Sequence, residues 1–242
     1  MNDSYRSSRS RCLVCVVCLA TALALSGCPS FRTLQTARTV GAGNTQFAVE
    51  PTLEGIQWMG TLYLPGINFS ARHGVNETLD VGGSFGTSGI GVMGKQRLSS
   101  PDSSLIMSIG PNVSGLVLGS GSFGIINLEL PFLLGIPVGE TDSEIVITPK
   151  LLHNIMFLRG ESDDGDGRIA THLTLVGGSL AFAGKLGRSL WIVPEVAAGI
   201  PLFATAGASL TVDDDESALS ASTLFPGGVL LTFGLGFLFE GF

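Results

Sequence analysis

The chain has 242 residues, a formal net charge of −7, 45% hydrophobic residues and 14% charged ones. Soluble domains carry about 25% charged residues, so a chain with mean hydropathy +0.44 is too apolar for disorder and too charge-poor for an ordinary cytosolic enzyme. Its acidity excludes nucleic acid as a partner, its length fits one domain, and its composition points to a membrane.

Arg6, Arg9 and Arg11 precede an apolar run from Leu13 to Leu25 that is too short for a bilayer-spanning helix, so residues 1–27 read as an export signal. Leu25-Ser26-Gly27-Cys28 resembles the lipobox of bacterial lipoproteins. The resemblance implies cleavage before Cys28 and acylation of that residue, palmitate included, with no other cofactor. The four cysteines are Cys12, Cys15, Cys18 and Cys28. Cleavage leaves only Cys28, so neither a disulfide framework nor a cysteine metal site is expected. Cleavage also removes Asp3 and the three arginines, leaving ten basic and nineteen acidic residues, a net −9. Position 29 is Pro. By resemblance to enterobacterial lipoproteins it carries no inner-membrane retention signal, which implies the outer membrane, and several acyl chains would anchor the protein stably there.

Residues 28–44 read as the lipidated Cys and a polar periplasmic linker bearing Arg32 and Arg38. The stretch Thr36-Ala-Arg-Thr-Val-Gly41, followed by an alternating strand, resembles the start of small outer-membrane barrel lipoproteins of myxobacterial relatives. That likeness implies a layout and no functional residue.

Beyond Cys28 the sequence has no apolar run of about 18 residues. Segments of roughly ten residues recur instead, alternating with period two between Gly, Ser, Asp, Asn or Pro, the length of a tilted membrane strand. Ten are predicted: 45–54, 65–73, 78–86, 90–98, 104–117, 123–136, 144–157, 171–185, 189–202 and 228–239. Residues 45–242 are therefore expected as an all-β, antiparallel, up-and-down transmembrane β-barrel of about ten strands, eight and twelve being the alternatives. An even count places both termini on the periplasmic side. In the last segment Leu231, Phe233, Leu235, Phe237 and Phe239 share one face and Thr232, Gly234 and Gly236 the other. The terminal Phe242 resembles the C-terminal signal that such barrels present to the barrel assembly machinery, and Glu240 departs from that pattern.

Connections are predicted to alternate between short turns (73–77, 99–103, 139–143, 186–188) and, on the outer side, longer acidic loops (55–64, 161–167, 204–227) with two tight turns (87–89, 119–121). Phe47, Phe132, Phe182, Trp191, Phe239 and Phe242 fall at periplasmic strand ends, and Trp58, Tyr63, Phe85, Phe123, Phe157 and Phe203 at outer ends, as two aromatic belts would. Membrane lipids and lipopolysaccharide are the expected partners, and a surface partner is left unspecified.

Assigning the large apolar residues to lipid sends Glu50, Arg72, Asp80, Lys95, Arg97, Glu129, Lys150 and Glu195 to the opposite, lumen face. Charge in lipid costs a few kcal/mol. Glu129 with Lys150 and Asp80 with Arg97 lie on adjacent strands at similar depth, so pairing is expected. The charges either fill the lumen as a plug or line a narrow pore for small solutes, and eight-stranded barrels are filled whereas porins of 16–18 strands are open. A bulge is expected within 172–184.

No catalytic set is assigned. His73 lies in a turn and His153 on the lipid parity. His172, near Asp163, Asp164 and Asp166, is the only anchor for an outer-membrane hydrolase, and it lacks a nucleophile partner. Nor is a metal site assigned: a calcium loop from Asp164 needs Glu where Leu175 stands. The acidic runs 163–167 and 213–216 read as solvated loop tips. Gly82-Gly83, Gly177-Gly178 and Gly227-Gly228 open no helix, so they are not phosphate loops.

Overall fold

A computed structural model describes residues 31–57, 61–100, 103–119, 122–139, 142–162, 165–212, 215–224 and 228–241. The signal segment 1–27, Cys28, Trp58, Asp163, Asp164, Asp213 and Phe242 lie outside the described residues.

Twelve strand segments follow in chain order: β1 (Thr45–Gln57), β2 (Thr61–Gly74), β3 (Leu79–Gly86), β4 (Gly89–Arg97), β5 (Ile106–Ile109), β6 (Asn112–Leu118), β7 (Phe123–Pro137), β8 (Glu144–Ser162), β9 (Gly165–Leu186), β10 (Leu190–Val212), β11 (Asp215–Leu224) and β12 (Val229–Glu240). They occupy ten positions in a closed antiparallel barrel. β5 and β6 are two pieces of one strand between β4 and β7, interrupted at Gly110-Pro111. Pro111 has no N–H to donate, which breaks the ladder. β11 and β12 are successive partners of β10, and β12 closes the ring against β1.

The period-two sequence pattern becomes a two-faced wall. Phe47, Ile67, Phe85, Ile90, Leu128, Leu151 and Phe233 are exposed on the outside, Ile90 at 76%. Phe69 and Phe85 stack there with centroids 5.0 Å apart. An exposed greasy band of this kind fits a lipid environment. Inward positions carry Thr148, Lys150, Leu152 and Asn154 on β8 and Trp191, Val193, Glu195 and Ala197 on β10, all buried.

Several elements differ from expectation, among them the loop 55–64, of which β1 takes residues 55–57 and β2 residues 61–64. The loop 204–227 is largely strand, because β10 continues to Val212 and pairs with β11. The loop 161–167 is a hairpin, with Ser162 opposite Gly165. The register shift lies at Pro201–Phe203, not within 172–184. Trp191 sits inside at 2% exposure, outside any lipid-facing belt. Beyond the barrel proper, β8–β11 form a tall wall, whereas β3 and β4 turn back after eight and nine residues.

Residues 31–44 supply the centre. Phe31, Leu34 and Ala37 are fully buried. Leu34 and Ala37 pack with Leu133, Val146, Trp191, Val193 and Leu238. Phe31 packs with Leu152, Leu175 and Ala197. The segment expected outside as a linker thus runs through the lumen.

Candidate functional site: the occupied lumen

The sequence Phe31-Arg-Thr-Leu-Gln-Thr-Ala-Arg-Thr-Val40 places apolar side chains three residues apart, a period matching neither helix nor strand. It runs without regular secondary structure. Phe31, Leu34 and Ala37 each sit on a floor of glycine. A Cβ at Gly199 would come within 2.1 Å of the Phe31 ring, and one at Gly177 within 2.8 Å. A Cβ at Gly234 would lie 3.1 Å from Leu34, and one at Gly135 2.6 Å from the Ala37 Cβ. Glycine is needed at these points because the segment approaches the wall backbone closely.

The wall then meets the segment's main chain. Glu195 accepts from Thr33 N (2.8 and 3.0 Å) and from Leu34 N (2.5 Å). Leu34 adopts φ +41, a costly conformation for a branched side chain, within the turn that lets two successive N–H groups reach one carboxylate. Glu144 accepts from Ala37 N at 2.5 Å. Asp80 accepts from Val40 N at 3.0 and 3.1 Å. Carbonyls are met by cations and a hydroxyl: Lys150 donates to Arg32 O (2.6 Å), Ser108 Oγ to Ala37 O (2.6 Å), and Lys95 to Thr36 O (3.3 Å) and Arg38 O. A buried charge must be paired and hydrogen-bonded to be tolerable. Here the segment's peptide groups provide part of that satisfaction.

Five of the eight lumen charges predicted from parity, Arg72, Asp80, Lys95, Lys150 and Glu195, contact this segment. Lys150 also pairs with Glu129 at 2.8 Å. Asp80 pairs with Lys95 at 3.4 Å rather than with Arg97, whose guanidinium donates to Ser99 Oγ (3.4 Å) and Ser100 O (3.0 Å) in the adjoining turn. Arg72 donates to Gln35 Oε1 (3.0 Å) and Gln46 Oε1 (2.7 Å). Glu50 accepts from Ser70 and lines, with Arg32, Asn68, Asn112, Asn127 and Glu129, a polar cavity of about 50 Å³ beside the segment. That is room for a few waters.

Sequence reading missed Glu144, Arg32, Arg38 and Trp191 as lumen groups. Parity would have found Glu144 and Trp191, which share the inward face of Lys150 and Glu195 respectively. At the base, Asp142 accepts from Lys185 (2.7 Å) and Arg38 (3.3 Å), and Lys185 lies 5.2 Å from the Trp191 ring centroid. The hydrogen bond from Lys185 holds the Asp142 carboxyl below its usual value, with the Lys185 and Arg38 charges acting the same way.

The segment also has a direction. Gly43 N bonds Gly74 O and Glu240 N bonds Ser189 O, so residues 43 and 240 lie at one end of the barrel. Phe31 packs on Gly199, nine residues along β10 from Leu190. At about 3.3 Å per residue and a tilt near 40°, that is roughly 23 Å. Arg32 reaches Ser88 (3.3 Å), in the turn between β3 and β4 at the opposite end. Residues 31–43 thus cross the whole apolar band, and Phe31 and Glu240 lie at opposite ends of the barrel.

His172 does not enter a cleft. It lies on the outer face, its ring centroid 5.6 Å from that of His153, which bonds Thr174 Oγ1 at 2.9 Å. Among the described residues no group of three or more His, Cys, Asp and Glu could hold a metal ion.

No protein-family model matches the chain, and no curated protein sequence does. Several solved structures are similar to it. A major outer membrane protein from Thermus thermophilus has TM-score 0.43 and 14% identity, covering 81% of this chain and 99% of its own. The outer membrane protease OmpT from Escherichia coli has TM-score 0.44 and 10% identity, covering 87% and 99%. The outer membrane protein OprG from Pseudomonas aeruginosa has TM-score 0.36 and 11% identity, covering 86% and 99%.

Proposed function

We propose that this protein is an outer-membrane β-barrel lipoprotein closed by its own N-terminal segment, with a structural and surface-contact role rather than catalysis. The single observation that carries this is the set of buried wall groups, Glu195, Glu144, Asp80, Lys95 and Lys150, hydrogen-bonded to the main chain of residues 32–40. Outer-membrane residence is supported by the exposed apolar band around a closed barrel. Acylation of Cys28 is supported by the lipobox resemblance.

Contact with lipopolysaccharide is supported by β8 and β9. Arg159 and Arg168 are cross-strand partners beyond the barrel's apolar band. Both arginines are exposed, and two positive charges on neighbouring strands attract a phosphate.

A second reading, a narrow channel, is favoured by the mixed-charge lining and the polar cavity. Single-channel recording separates the two. The full chain is expected to be silent, and a variant with residues 31–40 replaced by a Gly-Ser spacer is expected to conduct. Steady conductance from the full chain would establish the channel and refute the closed barrel.

A further inference from the structure

We infer that the lumen is a binding site for a polypeptide segment without regular secondary structure, of which residues 31–40 are the resident occupant. The inference rests on the closed-barrel reading above and names the class of ligand that the lumen accepts.

The contacts favour a peptide over an ion or a sugar. Carboxylates of the wall take the N–H groups of residues 33, 34, 37 and 40, and Lys95, Lys150 and Ser108 take the carbonyls of residues 32, 36, 37 and 38. Both sets belong to groups that every polypeptide carries. Wall donors and acceptors are therefore distributed along the whole length of this irregular segment. Recognition of this kind gives affinity without demanding a sequence, while pockets for particular side chains supply the selectivity.

Those pockets are the glycine floors. Gly177 and Gly199 seat an aromatic ring, Gly234 and Gly236 a leucine three residues on, and Gly135 a methyl group three further. The preferred ligand is thus a peptide that follows the same irregular path, with an aromatic, a branched aliphatic and a small residue at spacing three. The resident is tethered through Gly41–Asn44, and such a tether raises its local concentration over a free peptide. A free peptide must therefore compete against a weakened resident.

The test uses full-length protein in detergent with Phe31→Ala and Leu34→Ala together, and a second variant carrying the Gly-Ser replacement of 31–40. The probe is a fluorescent synthetic peptide of residues 29–42. Saturable binding to both variants is expected, at least tenfold tighter than to the unaltered protein. Binding should weaken at least tenfold for a peptide N-methylated at the positions of Thr33, Leu34 and Ala37, which removes the N–H groups and keeps every side chain. Loss should also follow when the aromatic and leucine are moved to adjacent positions. Absence of saturable binding to both variants overturns the inference, as does equal binding of the N-methylated peptide. Conductance of the same preparations keeps the failures apart. A variant that conducts and binds nothing refutes the peptide site alone. A Gly-Ser variant that neither conducts nor binds refutes the closed-barrel reading with it.

Discussion

The Oε2 atom of Glu195 accepts the amide of Leu34 at 2.5 Å across 161 positions of sequence, while the same carboxylate takes Thr33 N. One inward side chain of β10 thereby fixes the turn in the threaded segment, with Leu34 on Gly234 just below.

Glu195→Gln keeps the shape but replaces one acceptor oxygen with an NH2 facing amides. Leaving a buried donor unmatched costs about 1–3 kcal/mol. The variant is expected to lose about that much stability in urea titrations, read as loss of the heat-modifiable gel band. A midpoint equal to the parent would mean that Glu195 does not carry the segment.

Gly199→Ala drives a methyl into the Phe31 ring and is expected to destabilise by about 1–3 kcal/mol. Phe31→Ala opens that space. The double variant should recover part of the loss, giving a coupling energy of about 1 kcal/mol or more. Additive effects would place Phe31 elsewhere.

Trp191 reports the lumen directly. In a Trp58→Phe background its emission is expected to be blue-shifted and insensitive to brominated lipid, since the ring is 2% exposed and packs inside. Strong quenching by brominated lipid would restore the belt position that the sequence suggested.

Asp142 ties Arg38, near the base of the segment, to Lys185 of β9. Its folded-state value is depressed, chiefly by the hydrogen bond from Lys185, below the ordinary 3.8. The contribution is therefore complete above pH 3.8 and fades as pH falls through the depressed value. Asp142→Asn should lower stability at neutral pH and flatten the acid side of the stability profile, measured by thermal scans from pH 2 to 7.

Arg159→Ser should respond differently in two surroundings. In plain detergent the change is expected to stay within about 1 kcal/mol of the parent, the range for an exposed charged group that loses a surface interaction. With lipopolysaccharide added, the parent is expected to gain more stability than the variant, because the phosphate loses one of two neighbouring positive charges. Identical gains would separate the arginine pair from the lipid.

The wall was legible because its chemistry repeats every two residues. Ile145, Ile147 and Leu151 face out while Thr148, Lys150 and Leu152 face in, and the same parity sets Glu195 on the inward face of β10. Pairing was less legible: Asp80 could be put beside β4, but its choice of Lys95 over Arg97 depends on register. β11 escaped notice because Asp215–Leu224 is built of small and polar residues that pattern like a loop and pairs with β10 beyond the β10–β12 register. The occupant of the lumen was hidden for a different reason. Its bonds are made by backbone groups, which leave no mark in the sequence, and its three-residue period matches neither the α-helix nor the β-strand pattern. Its partners lie far along the chain, Ala37 meeting Glu144 and Thr33 meeting Glu195.

The occupied lumen is tested most directly by a disulfide. A Cβ on Gly236 would lie 3.4 Å from that of Leu34, close to the separation a disulfide spans. Leu34→Cys with Gly236→Cys is expected to oxidise within one chain, seen as a cross-linked pair of tryptic peptides by mass spectrometry. Two free thiols in the folded, oxidised protein, both open to maleimide, would contradict the threading of residues 31–40 through the barrel.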